Sequence, residues 1–88
     1  MASNTKPKTL EETTDLMLSE DYKERFRAEY HQLKIRYKKL SDMVTKYAQD
    51  KLDFEPECSL PLLQDQLNAM HYYMFVLEIR AKAEKIKL

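Results

Sequence analysis

From Phe26 onward, Tyr30, Leu33, Tyr37, Leu40, Val44 and Tyr47 recur at alternating intervals of four and three residues. Such a spacing lays seven side chains along one side of a helix. Kept up over three heptads, it demands a partner surface with the same period. Leu63, Leu67, Met70, Met74, Leu77 and Ala81 repeat the alternation. Between the two runs, Leu52 to Ser59 carries Pro56, several acids and no helical period, and reads as a connection. Two matching seams joined by a short loop predict an all-α chain, an antiparallel helical hairpin of two long helices.

The first helix is expected to begin near Ser19 or Asp21, with Ser19 as its N-cap, and to run to about Lys51, since no Pro or Gly interrupts it. Ser59 caps the second helix, and Pro61 is tolerated in the first turn, where a backbone donor would be free anyway. The chain therefore divides into an arm, residues 1–20, and a hairpin domain, residues 21–88. In the arm, Thr9 to Glu12 fits a capping box ahead of Leu16, Met17 and Leu18. Two readings stay open there: a short amphipathic helix, or an arm whose apolar residues dock only in an assembly.

Glycine is absent from all 88 residues. That argues against the tight turns of most β folds and against phosphate-cradling loops, which need positive φ. A core this small is marginal alone, since a chain of this size buries only roughly 60–65% of its unfolded surface. The second helix adds a further demand. Tyr73 and Val76 flank its seam on one side, and Tyr72, Phe75 and Ile79 on the other, so its middle is apolar almost all round. One partner helix cannot cover such a surface, which predicts homo-oligomerisation.

Single residues give little chemistry. Cys58 has no second thiol for a disulfide, and neither His31 nor His71 stands at a metal-ligand spacing. Both histidines read as surface or interface residues, and Met70 and Met74 as core or interface. With no nucleophile–base pair, the chain reads as a non-enzyme with no cofactor. Met1 to Lys8 lacks the apolar core of a secretory signal, and the longest apolar stretch, around Met70 to Leu77, falls far short of the ~20 residues of a membrane span. These features predict a soluble, cytoplasmic protein.

Fifteen basic and fifteen acidic residues give zero formal charge, but the distribution is uneven. Lys23 to Lys39 holds seven cations (Lys23, Arg25, Arg27, Lys34, Arg36, Lys38, Lys39) against Glu24 and Glu29, a local charge of +5. Interleaved with Tyr22, Tyr30 and Tyr37, these cations suit a ligand made of phosphates and bases. The plainer alternative is a solvated basic face beside a seam that happens to use tyrosine. Each seam tyrosine also needs a hydrogen-bond partner if buried, so it fits a seam edge or a pocket wall better than a dry core.

The run Arg27-Ala28-Glu29-Tyr30-His31-Gln32-Leu33, its continuation Arg36-Tyr37-Lys38-Lys39-Leu40, and the late Leu77-Glu78-Ile79-Arg80 resemble the short helical hairpin of bacteriophage anti-CBASS sponge proteins. The resemblance spans about Asp21 to Ile86. It implies a phage protein in the cytoplasm of the infected bacterium that binds cyclic di- or trinucleotide messengers without cleaving them, silencing the defence they would trigger. It also implies hexamers of hairpins, with cyclic dinucleotides held between protomers and cyclic trinucleotides near a three-fold axis. On this resemblance Tyr30 is the base-stacking tyrosine, Lys46 or else Lys39 the phosphate-binding lysine, and Arg80 the late arginine, with Arg27 and Tyr37 alongside. Two other readings remain: a structural oligomeric adaptor for another protein, and a nucleic-acid binder, which the neutral overall charge disfavours.

Overall fold

The computed structural model of the chain describes residues 6–88, so the first five residues of the arm, and most of the polar Met1 to Lys8 stretch, lie outside it. A 3-10 turn, Glu11–Thr13, leads straight into a one-turn helix α1, Thr14–Met17, and two long helices follow, α2 (Tyr22–Ala48) and α3 (Leu60–Ala83). The described residues are helical and contain no strand.

The start of α2 differs from expectation. Its cap is Asp21, whose side chain accepts from the Lys23 amide at 3.0 Å and whose carbonyl accepts the first intrahelical bond from Arg25. Ser19 is two residues too early, and its carbonyl accepts from the Arg25 guanidinium at 2.7 Å instead of from a helix amide. Its hydroxyl instead braces the junction, accepting from the Asp21 amide and donating to Glu24.

The end of α2 also moves, from the expected Lys51 to Ala48. Asp50 adopts φ 58°, which turns the chain so that its own amide meets the Tyr47 carbonyl and the Lys51 amide meets that of Lys46. This is a Schellman stop built without glycine. Helix α3 ends the same way: Lys85 has φ 60°, and the Ile86 amide meets the Ala81 carbonyl at 2.7 Å. Ile86 and Ala81 are both buried, giving the apolar contact that usually accompanies such a stop. At the other end of α3, the Ser59 hydroxyl accepts from the Leu62 amide and Pro61 sits in the first turn, as the sequence predicts.

The seams face each other. Phe26, Tyr30, Leu33 and Val44 of α2 are buried, as are Leu63, Leu77 and Ala81 of α3, while Tyr37, Leu40, Tyr47, Leu67, Met70 and Met74 are half-buried. Contacts run antiparallel: Phe26 meets Arg80, Tyr30 meets Glu78, and Tyr37 meets His71. The core gathers at one end, where Phe26, Tyr30, Leu33, Leu77, Ala81 and Ile86 pack with Met70, Met74 and Leu88.

The arm lies on α2 within a single chain. Thr13 is fully buried, donating to the Leu10 carbonyl at 2.6 Å and accepting from the Gln32 side-chain amide at 2.8 Å. Half of the expected capping box forms, with the Glu12 amide donating to the Thr9 hydroxyl; Glu12 itself accepts from the Lys8 amide rather than that of Thr9. The helical turns of the arm pack on α2 and not on α3.

That leaves the outer side of α3 open. The described residues extend only 17 Å in their shortest direction, which leaves no depth for a further helical layer over a helix of roughly 10 Å diameter. Leu62, Tyr72, Phe75 and Ile79 are each more than half exposed. No helix among the described residues is long and apolar enough to cross a membrane.

Candidate functional site

Lys39 and Lys46 come together in space. They lie seven residues apart on α2, two turns along the same face, and line a cavity of about 370 Å³ with Asp42, Met43, Lys51, Leu52, Asp53 and Phe54. The early stop of α2 makes this cavity, because it turns Lys51 to Phe54 back beside the last turns of the helix. Three ammonium groups against two carboxylates, with an aromatic ring and two apolar side chains, border one hollow. Such a lining can hold phosphate on its cations and a ring on its apolar wall.

The other expected site residues lie elsewhere. Tyr30 is a core residue, only 6% exposed, and its hydroxyl donates to Glu78 at 2.6 Å. Burial, together with the hydrogen bond to the Glu78 carboxylate and its charge, pushes the phenol up to about 12. Its ring meets His31 edge-on at 5.3 Å, so within one chain no face is open for a base. The partner that a buried tyrosine requires is thus supplied by α3. Arg80 lies over the Phe26 ring at 4.9 Å and donates to Glu84 at 2.8 Å, closing the same end of the hairpin. Tyr37 is half-buried against His71, with ring centroids 6.0 Å apart. Arg27 lines a separate cavity of about 260 Å³ with Lys6, Lys87 and Leu88.

One chain therefore assembles the lysine pair and leaves Tyr30 and Arg80 at the closed end of the hairpin. Lys51 and Phe54 were not singled out from the sequence. They enter the site through the turn at Asp50, and no periodic signal marks that turn.

A protein-family model described as Sequestin matches residues 20–83, which is 64 of the 88 residues. The chain belongs to the Sequestin family. The Sequestin match takes in α2, the connection and all of α3, and leaves α1 and the rest of the arm outside. It therefore covers the Lys39–Lys46 cavity and the open face of α3. No curated protein and no solved structure matches the chain. The Sequestin name implies a protein that sequesters a molecule.

Proposed function

We propose that the chain is a phage-encoded sponge that binds and sequesters cyclic di- or trinucleotide messengers in the host cytoplasm without cleaving them, so blocking CBASS defence. The observation that carries this reading is the cavity in which Lys39, Lys46 and Lys51 stand beside Phe54, Met43 and Leu52. Membership of Sequestin supports the sequestering role, and the likeness of the two helix motifs to anti-CBASS sponges supports the ligand class.

Sequestration acts by mass action. The protein must be abundant, and its dissociation constant must lie below the concentration at which the messenger signals. Catalysis has no part in it, and no step of the proposal needs a cofactor. The open face of α3 supports self-association, and Arg80, half exposed, would meet ligand at contacts between copies, whereas Tyr30 stays within the core. The same apolar face would equally suit an adaptor that binds another protein, and the two readings part on nucleotide affinity.

Calorimetry with a panel of cyclic di- and trinucleotides tests the proposal on the assembled protein. Tight binding is expected, with Lys46→Ala weakening it by about tenfold or more, in line with a charge-assisted hydrogen bond of ~1.5–3 kcal/mol. Mass spectrometry of the released ligand should recover it intact. An absence of binding across the panel would overturn the sponge, and recovery of cleaved ligand would overturn sequestration without turnover. Tyr30→Ala is a poor probe of the site, because it removes a core side chain.

A further inference from the structure

A second line of polar residues on α2 points away from both the seam and the Lys39–Lys46 cavity. Arg27, His31, Lys34 and Lys38 follow at intervals of four, three and four. They share one stripe, roughly a third of a turn from each of the other two faces. The arm runs along this stripe. Residues 6–8 of the arm, with His31, Lys34, Ile35 and Lys38, enclose a cavity of about 300 Å³, and Lys6 also borders the smaller hollow lined by Arg27 and Lys87.

Among the described residues, the charged side chains that line the cavity between the arm and α2 are all cationic. Lys38 reaches Asp42 at 3.6 Å, but both side chains are well exposed, so the pair is weak. Among the described residues, Lys6, Lys8, Lys34 and Lys87 have no ion pair. Like charges gathered in this way repel, and they add nothing to the hairpin core. A bound anion would relieve that repulsion.

The floor of the cavity carries a second sign of a ligand. His31 is 4% exposed, and its Nε2 has no hydrogen-bond partner among the described residues. Buried polar atoms are seldom left unpaired without a functional reason. Burial, and then the charges of Lys34, Arg27 and Lys6, hold the imidazole below its ordinary range, so the ring is neutral at neutral pH. Pro7 and Ile35 add apolar walls. A hollow with lysines at its rim and aliphatic groups along its wall suits a ligand of matching build.

We propose that the cavity between the arm and α2 binds a mononucleotide-type ligand, with its phosphate on Lys6, Lys8 and Lys34 and its ring against Pro7 and Ile35, above the buried His31. The site depends on the arm, which the Sequestin match does not include. It therefore stands or falls independently of cyclic-nucleotide sequestration.

The test titrates the full-length chain with adenosine 5′-monophosphate, followed by calorimetry and by the His31 ring resonances in nuclear magnetic resonance spectra. Saturable binding that moves the His31 resonances is expected. Lys34→Glu should weaken it at least tenfold with an unchanged helical circular-dichroism spectrum, and Gln64→Ala on α3 should leave it as it was. Lys6→Ala with Lys8→Ala should reproduce the loss from the arm alone, which keeps the test valid should Lys34→Glu disturb the helix. Adenosine should not bind, for lack of phosphate. The proposal fails if adenosine monophosphate does not bind, if binding leaves His31 unmoved, or if it survives the lysine variants. It fails too if pyrophosphate binds as tightly as the nucleotide, since the ring would then play no part.

Discussion

The outward sides of the two long helices differ in kind. On α2 the outward side is charged and partly covered by the arm, which pins itself there through Thr13 and Gln32. On α3 the outward side carries Tyr72, at 68% exposed, with Phe75 and Ile79 at 53% each, and no helical element among the described residues covers them. Both helices supply equivalent seams to the shared core, so the difference does not come from folding the hairpin. It leaves α2 with a charged outward side and α3 with an apolar one.

Charging the outer face of α3 puts that division to its hardest test. Phe75→Arg combined with Ile79→Arg should disperse any assembly. Two large apolar side chains are worth roughly 3–6 kcal/mol when buried, or about two to four powers of ten in association. Light scattering after size exclusion would read the change, whereas Arg36→Glu on α2 should leave the mass of the assembly unchanged. If the α2 substitution dissociates the protein and the α3 pair does not, the two faces have been assigned the wrong way round.

A smaller effect separates the two sides of α3 itself. Leu77, 2% exposed within the core, should cost about 2–5 kcal/mol on change to Ala. Phe75→Ala, at dilutions where the chain is monomeric, should stay within about 0.5 kcal/mol of the parent. Urea unfolding at low protein concentration would measure both. Equal losses would mean that the outer face is covered within one chain.

The third expectation concerns α2, and it is the smallest. His31 has its pKa lowered, first by burial and then by Lys34, Arg27 and Lys6, so the unfolded chain takes up a proton more readily than the folded one. Stability attached to this residue is intact above the ordinary histidine value near 6.5 and declines as pH falls below it. The urea midpoint should therefore drop between pH 7 and pH 5, and His31→Phe should flatten that drop. A midpoint that rises toward acid pH would mean that His31 gains a carboxylate partner on protonation.

Much of this architecture is legible in the sequence because it follows from period. The two seams, the pairing of α2 with α3 and the cap at Ser59 are all local patterns. What escapes the sequence depends on conformation or on distant partners. Asp50 and Lys85 end the long helices in a left-handed geometry that glycine usually marks, so neither stop carries its usual signature. Tyr30 finds its partner in Glu78, 48 residues away, across a register that the connecting loop sets. His31 looks like an isolated surface histidine until the arm is laid beside it. Lys46 and Lys39 enter from the family resemblance as alternatives for one phosphate-binding lysine, whereas the structure sets them in one cavity whose further wall, Lys51 and Phe54, no sequence pattern marks.

The attachment of the arm to α2 alone bears on how such a protein can diversify. A segment that touches one helix on its far side can be lengthened, shortened or exchanged without disturbing the fit between the hairpin helices or the apolar face of α3. The hairpin is the chassis that the family match spans, and the arm is a sleeve outside it. New chemistry can be tried on at that sleeve while the quaternary contacts stay as they were.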